Sequence, residues 1–376
     1  MPRGYWQIWT ATLLFFAAFY SLLVPLPLYL EGLRFPDWQI AFVLGAFGVA
    51  ALLGRPLSGV AADAWGYNRI MVLGAASLLV GAVGTSVTHS LTLLTLLRVL
   101  QAFGYVAFTT AATARVSELL PAERRAHGLA WFGTSANVAM TCAPALVSLA
   151  IPVIALRGAF WLAGGLAVVA GLLAQIGRHT ATAPPTGVNV RDLLVIRRDL
   201  WRPVCLAAAF GAGFGVFLQF LPLLAELRSV DSGLIYTVYG ITIIASRLLV
   251  GRWLDTLRPA LTLSVGFVAL GGGLVSFAMW SSMTGLLAGA ICLAAAGAIV
   301  HPLLISIHVG QSEDRMAHGS AVFYLGFDLG MGAGTWFVSP IFESGGLPAA
   351  YLVSVVYAAA GLALALRFRV HPPGDR

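Results

Sequence analysis

Three side chains that can carry charge lie inside long apolar stretches of the sequence: Asp328, Arg98 and His301. A carboxylate in such low-dielectric surroundings is stabilised in its neutral form and could bind and release a proton. His301 could carry a proton as well, or could bond to the backbone carbonyl that Pro302 leaves unpaired. We therefore predict that proton coupling involves these three residues, with Asp328 as the protonation site.

Arg98 lies in a stretch that is otherwise aliphatic. A charge at the centre of a membrane-spanning helix costs about 2.5–3.5 kcal/mol on insertion scales, so such a residue faces a cavity or a partner. Arg98 could bind substrate and adjust the proton affinity of Asp328, or it could be a structural arginine bonded to backbone carbonyls. We favour the first interpretation and expect Arg98 and Asp328 to lie on either side of the substrate.

Uncharged polar side chains in the apolar stretches are candidate substrate contacts beside Arg98. They are Gln101, Asn137, Gln219, Tyr20, Tyr105 and Tyr239. The tyrosines could equally be ordinary helix packing. We predict no metal, no cofactor and no catalytic cluster, and interpret the three separate cysteines, Cys142, Cys205 and Cys292, as buried inert thiols.

The composition requires a solvent other than water. Of 376 residues, 59% are hydrophobic and only 10% are charged, whereas soluble domains are about 25% charged. The mean hydropathy is +0.89. The net charge of +7 could suggest a nucleic-acid partner, but the arginines fall between apolar stretches. The composition therefore predicts a protein of the lipid bilayer that binds no nucleic acid.

Twelve stretches are long enough to span the membrane, since a spanning helix needs about 20 apolar residues. The predicted spans are 6–30, 38–62, 69–88, 91–115, 127–150, 158–177, 201–224, 232–252, 260–281, 284–308, 317–342 and 346–368. The first is too long for the apolar region of a signal peptide. Residues 178–200 are polar and contain Pro184 and Pro185, so we predict a linker there between an N-terminal bundle, 1–177, and a C-terminal bundle, 201–376.

Arginine is distributed unevenly between the loops. The odd-numbered loops, counted from the N-terminus, contain only Arg34, Arg157 and Arg228, and all other loop and terminal arginines fall on the opposite side. Cytoplasmic loops of membrane proteins carry the excess of positive charge. We therefore predict a multi-pass protein of the bacterial inner membrane, with both termini and the linker in the cytoplasm.

The second half of the sequence repeats the first. Arg55 to Asp63 matches Arg247 to Asp255 at an offset of 192 residues. Pro27 and Glu31 match Pro222 and Glu226 at 195. The segments starting at His127 and His318 match at 191, an offset that also places Asn137 on Asp328. An offset of six spans predicts parallel repeats about an axis along the membrane normal, with a cavity between the halves.

Two segments carry a resemblance to a known family. Residues Gly59 to Arg69 read GVAADAWGYNR, and residues Leu97 to Gly104 read LRVLQAFG. They resemble the loop between helices 2 and 3, and the helix-4 motif, of the major facilitator superfamily. The resemblance implies an all-α membrane protein of twelve transmembrane helices in two pseudo-symmetric six-helix bundles. It also implies that Gly59, Asp63, Gly66 and Arg69, with Gly251 and Asp255 in the second half, form a conformational latch.

Within that family the sequence is most similar to bacterial efflux transporters for drugs, sugars, small metabolites or opine metallophores. It departs from them after Asp63, where Arg69 is the only basic residue left, and in the segment from Ala143 to Ser148, where an antiporter motif is expected. We predict a monomeric proton-coupled exporter of a small neutral, zwitterionic or singly charged solute. The alternatives are an importer or uniporter without proton coupling, a non-transporting sensor, and a membrane-embedded enzyme.

Overall fold

The structure, a computed structural model, describes residues 1–121, 124–176, 200–254, 258–310 and 316–368. These ranges contain helices and connecting turns and no strand. The helices are α1 (Arg3–Tyr20), α2 (Pro25–Gly32), α3 (Asp37–Trp65), α4 (Tyr67–Val87), α5 (Leu91–Leu119), α6 (Arg125–Gln175), α7 (Trp201–Leu227), α8 (Ser232–Leu254), α9 (Pro259–Met279), α10 (Met283–Gly310) and α11 (Met316–Leu366). The predicted linker lies almost wholly outside the described residues.

The first predicted span is two helices rather than one. A turn over 21–24 separates α1 from α2, and Pro25 occupies the first position of α2. Proline suits that position because its missing N–H is one that a helix start leaves unbonded anyway. The two helices together form one apolar stretch of 30 residues, Arg3–Gly32, which is long enough to cross a membrane.

Two predicted loops are almost wholly helical: the first is reduced to one non-helical residue, and the second is helical throughout, with the bend one residue after it. The sequence predicts separate spans on either side of 151–157 and of 343–345, but α6 and α11 each run for 51 residues. Their only non-helical residues are Ala155, at φ 57°, and Gly346, at φ 75°. One left-handed residue is enough to redirect a chain, and it costs glycine little while alanine pays a steric penalty. Each long helix is thus two helices joined at a bend.

The internal repeat is present in the backbone. Bends at Ala155 and Gly346 are 191 residues apart, the offset that relates the segments at His127 and His318. Two further left-handed residues, Arg34 at φ 58° and Ser229 at φ 53°, are 195 residues apart, as Glu31 and Glu226 are. Unusual conformations thus recur at the offsets found in the sequence, which confirms the repeat.

Helix contacts follow the same repeat. α1 packs on α6, α3 on α5, and α4 on both α5 and α6. In the second half α7 packs on α11, α8 on α10, and α9 on both α10 and α11. Two extensive contacts join the halves, α3 with α11 and α6 with α8, and each is the image of the other under the repeat.

Successive spans alternate in direction, so the connections fall on two faces. We call the face with Arg34, Ser90, Ala155, Ser229, Ser281 and Gly346 the odd-loop face, and the opposite one, with Gly66, the even-loop face. Close cross-half contacts lie in the half of the molecule nearer the odd-loop face. Trp336 donates to the backbone oxygen of Phe42 at 3.1 Å, and Thr237 donates to that of Thr141 at 3.2 Å.

Glycines make these contacts close. An added methyl group on Gly48 in α3 would lie 2.6 Å from the backbone oxygen of Asp328 in α11, and one on Gly233 in α8 would lie 2.9 Å from Ala145 in α6. Gly332 of α11 faces Gly45 and Val49 of α3. The predicted glycine-rich stretch around Asp328 therefore brings the halves together at backbone distance.

Candidate functional site

An ion pair joins the two halves where α3 meets α11. Arg55 Nε donates to Asp328 Oδ2 at 2.5 Å. The Asp328 side chain is 3% exposed and that of Arg55 17%. Within the described part of the chain this is the only ion pair. A charge-assisted hydrogen bond with so little access to water is stronger than the same bond on a water-exposed protein surface.

The glycines around Asp328 determine where α11 runs. Added methyl groups on Gly326, Gly330 and Gly334 would meet Val204, Ala208 and Ala212 of α7 respectively. These glycines recur every four residues and therefore form one face of α11. Gly332 lies on another face and meets α3. Asp328 is thus held between its own half and the opposite one.

Two tyrosines accompany the ion pair. The Arg55 guanidinium lies over the ring of Tyr324, 4.1 Å from its centroid. Tyr105 of α5 lies within electrostatic range of Arg55, Tyr324, Asp328 and Tyr20. Both tyrosines are partly buried. Phenol groups from both halves therefore surround the charges, and the predicted pair Tyr20 and Tyr105 falls at the site.

An aromatic cluster in the second half adjoins Asp328. His301 meets Phe323, Tyr324 and Phe327 edge to face, with ring centroids 5.0, 6.1 and 5.8 Å apart. Phe214 joins Phe327 at 6.0 Å and Tyr239 at 6.1 Å. His301 thus lies next to the helix turn that bears Asp328, and its role as a second proton carrier stays a prediction.

A matching cluster lies in the first half. Tyr105 contacts Phe19 at 4.6 Å, Phe47 at 5.5 Å and Phe16 at 5.9 Å between ring centroids, and Phe16 stacks on Tyr20 at 5.8 Å. Aromatic faces are apolar and carry a negative quadrupole that attracts cations. The single ion pair therefore has aromatic walls on both sides.

Arg98 forms no ion pair with Asp328 in the described part of the chain, and the role expected for Arg98 at the solute stays a prediction. Arg98 Nη1 donates to Gln101 Oε1 at 2.9 Å, Gln101 donates to the backbone oxygen of Gly81 at 2.9 Å, and the guanidinium lies 4.7 Å from the Phe47 ring centroid. Arg98 and Gln101 are thus bonded to each other inside the first half. The reason is local, since residues three apart on a helix are neighbours. The Nε of Arg98 has no hydrogen-bond partner.

The remaining predicted substrate contacts are dispersed. Gln219 is buried in α7 and donates to Thr335 at 2.9 Å, while its Oε1 has no partner. Tyr239 is buried, with 1% exposure. Asn137 lies partly buried in α6, one turn before Thr141 at the second cross-half contact. The structure therefore brings Tyr20 and Tyr105 to the ion pair and connects Tyr239 through Phe214 to the aromatic cluster beside Asp328. It leaves Gln219 and Asn137 elsewhere in the helices.

The predicted latch lies on the even-loop face. Gly66, at φ 87°, joins α3 to α4, and this left-handed value is one that side chains rarely adopt. Asp63 and Arg69 are exposed and form no ion pair in the described part of the chain. A methyl group on Gly59 would meet nothing within 4 Å. Gly251 lies in α8, and Asp255 falls outside the described residues.

The cysteines are less buried than predicted. Cys142 is exposed, and Cys205 and Cys292 are partly buried. The prediction followed from the apolar surroundings, but an apolar helix face in a membrane protein can be turned to lipid as readily as to the core.

Sequence reasoning missed Arg55. It lies inside the second predicted span, flanked by Leu52, Leu53 and Leu57, and so carries the signal that singled out Arg98. Its match to Arg247 drew it into the repeat argument instead. The same repeat places Asn137 on Asp328, so only one of the two image contacts has a carboxylate at this position.

Comparisons with known proteins agree with this architecture. The family model of the Major Facilitator Superfamily matches residues 8–232. No curated protein matches the chain. The chain superimposes on the nucleoside transporter NupG with a TM-score of 0.79 at 15% identity, over 97% of this chain and 98% of that one. The human organic anion transporter MFSD10 gives a TM-score of 0.71 at 18% identity, over 97% of this chain and 100% of that one.

The peptide transporter POT in complex with sulfate gives a TM-score of 0.81 at 13% identity, over 98% of this chain and 95% of that one. At such identities the likeness is one of fold. The family match covers more than half of the chain, and the similar structures cover nearly all of it. The chain is therefore a multi-pass membrane transporter, not an enzyme, and belongs to the Major Facilitator Superfamily.

Proposed function

We propose that this chain is a proton-coupled exporter of a small solute that works by alternating access. The observation that carries the proposal is the Arg55–Asp328 pair, because it joins the two halves by a bond that one proton can break. The chain crosses the membrane twelve times, as two six-helix bundles, 1–177 and 201–376. Nine described stretches are long and apolar enough to cross, two of them 45 and 46 residues long with a central bend, and Ser232–Ser246 is a shorter apolar helix.

We infer from the arginine distribution that the even-loop face, both termini and the linker 178–200 lie in the cytoplasm of a bacterial cell. Cross-half contacts near the odd-loop face then close the site toward the outside. This conformation loads solute from the cytoplasm, as an exporter of the efflux branch requires. The protein acts as a monomer, since each chain contains both halves of the transport path.

The ion pair supplies a rule for coupling. Removing one partner of a buried pair costs about 3–5 kcal/mol, because the other charge is left without compensation. An empty carrier with ionised Asp328 therefore stays closed at the odd-loop face. Protonation of Asp328 removes the attraction, and a solute lying between the two charges replaces it. Only a proton or a solute then lets the carrier change face, which is the condition for exchange of one against the other.

The buried carboxylate of Asp328 favours this function over a uniporter or importer without proton coupling, since a passive carrier has no need of a carboxylate between its halves. Replacement of Asp328 by Asn tests the proposal. Solutes are first identified by a thermal-shift screen of the purified protein against small metabolites, drugs and metallophores, and are then used in proteoliposomes. We expect Asp328→Asn to abolish accumulation driven by a pH gradient while solute exchange continues.

The matched control is Glu118→Gln, which removes an exposed carboxylate near the even-loop face and should transport normally. Full gradient-driven accumulation by Asp328→Asn would contradict the assignment and direct attention to His301. Absence of flux with every bound solute in the unaltered protein would favour the sensor.

A further inference from the structure

The charges at the site constrain the chemistry of the solute. The site offers one guanidinium, Arg55, and one carboxylate, Asp328, which neutralise each other at 2.5 Å. The other buried arginine nearby, Arg98, lies over the Phe47 ring and is bonded to Gln101. A solute that enters between the two halves must therefore compete with a neutral pair whose members lie in direct contact.

The three charge types of solute differ in what they leave behind. A cation bound to Asp328 leaves Arg55 without its partner, and an anion bound to Arg55 leaves Asp328 without its own. A neutral solute offers neither group the charged partner that it loses. Uncompensated buried charge is strongly unfavourable. Only a solute with one positive and one negative group, placed close together, gives both side chains a charged partner as the pair opens.

The walls of the site constrain the rest of the solute. Tyr324 already presents its face to a cation, and Phe327, Tyr105 and Phe16 continue the aromatic surface on both sides. Aromatic groups prefer stacked or edge-to-face partners. A solute with a flat apolar ring would therefore pack against these side chains better than a sugar or a flexible polar chain.

We propose that the solute is a zwitterion with an aromatic or similarly flat apolar body, of the chemistry of an aromatic amino acid. Its carboxylate binds Arg55 and its ammonium group binds Asp328. This inference rests on the proposed function and gives it a direction: the ammonium group and a proton compete for Asp328, so they travel in opposite directions. A simple anion would instead free Asp328 to take up a proton and would travel together with it.

Four probes that differ in one feature each test the proposal by calorimetry on the purified full chain. They are L-phenylalanine, phenethylamine, which lacks the carboxylate, 3-phenylpropanoate, which lacks the ammonium group, and L-alanine, which lacks the ring. We expect L-phenylalanine to bind about tenfold or more tightly than each of the others, and binding to weaken as the pH falls.

Variants assign the two charges. In Arg55→Gln, L-phenylalanine should no longer bind more tightly than phenethylamine. In Asp328→Asn, it should no longer bind more tightly than 3-phenylpropanoate. Arg55→Lys keeps the charge and should restore part of the first preference, which guards against a folding defect. Arg157→Gln, in the bend region of α6 near the odd-loop face, should bind all four probes as the unaltered chain does.

Phenethylamine or 3-phenylpropanoate binding as tightly as L-phenylalanine would overturn the zwitterion. So would the failure of L-phenylalanine, L-tyrosine and L-tryptophan to bind at millimolar concentration. These outcomes concern the solute alone, because proton-dependent movement of the two halves can be measured with no solute present. If that movement occurs without zwitterion binding, the substrate class fails and the proposed function stands.

Discussion

Asp63 ends α3 on the even-loop face, exposed and without an ion pair in this conformation. We interpret it as a latch that engages only when the even-loop face closes and a helix end approaches it. A carboxylate at a helix N-terminus contributes about 0.3–1 kcal/mol at exposed sites and up to about 2 kcal/mol when partly buried. We expect Asp63→Asn to slow the transport cycle by about two- to tenfold, since 1.36 kcal/mol corresponds to a factor of ten.

Solute affinity should stay unchanged in Asp63→Asn, because Asp63 is remote from the aromatic clusters. Exchange rates in proteoliposomes and calorimetry on the same preparation separate the two quantities. A rate equal to that of the unaltered protein would show that Asp63 is a solvated loop charge.

At the residue scale, the sequence singled out one member of the ion pair, Asp328, and did not single out the other, Arg55. Asp328 could be found because a carboxylate deep in an apolar span is rare and costly. Arg55 could not be paired with it, because periodicity fixes which face a side chain occupies on its own helix but not which helix of the other half it meets. Arg98 and Gln101, three residues apart, could have been paired with each other from spacing alone.

At the scale of helices, the close contact between α3 and α11 depends on Gly48. A methyl group there would collide with the backbone of Gly332 and Asp328. Neither neighbour is a flexible side chain, so the helices must separate, and overpacking of this kind costs about 1–3 kcal/mol. We expect Gly48→Ala to open the odd-loop face at neutral pH, measured as a longer distance between spin labels on the two halves.

Gly165→Ala is the control for Gly48→Ala. Gly165 also lies in a helix, α6, but an added methyl group there meets nothing within 4 Å. Both variants should show a cooperative thermal unfolding transition, as a folded protein does. An unchanged label distance in Gly48→Ala would mean that α3 and α11 can accommodate the methyl group without separating.

Helix bounds show what sequence could and could not predict about these elements. Most spans were placed within a few residues, because apolar length is set by membrane thickness. Loops were predicted at 151–157 and 343–345, since a redirected chain normally needs several residues, and the bends lie at Ala155 and, one residue beyond the second loop, at Gly346. One left-handed residue in each place suffices, and only the backbone geometry of the whole repeat fixes where it falls.

Orientation in the membrane belongs to the scale of the whole molecule. We expect the even-loop face and the linker to be cytoplasmic, because nearly all loop arginines lie on that side. In a variant without native cysteines, Ser229→Cys should react with an impermeant thiol reagent on intact cells, and Thr186→Cys should not. Reaction at position 186 and none at 229 would reverse the topology and, with it, the direction of loading.

Acidic residues at the odd-loop face make the pH response of the whole molecule informative. Glu31 lies within electrostatic range of Glu226 and Asp37, and Asp37 within range of Glu343, so carboxylates of the two halves repel when this face is closed. Their protonation would therefore favour closure. Protonation of Asp328 acts in the opposite sense, because it removes the attraction to Arg55. If the odd-loop face opens on acidification, the opening can thus be attributed to the ion pair rather than to the acidic residues of that face.

The most direct test of the account is the distance between spin labels at Ser90→Cys and Ser281→Cys, which lie in matching loops of the two halves on the odd-loop face. The native cysteines are first replaced, since Cys142 is exposed. With no solute present, we predict one short distance at neutral pH and an added longer one on acidification. Asp328→Asn should show the longer distance at both pH values, while Glu118→Gln, which removes an exposed carboxylate, should keep the response of the unaltered chain. Distances that do not change with pH, or an acid response that survives in Asp328→Asn, would contradict the claim that a proton on Asp328 releases the two halves.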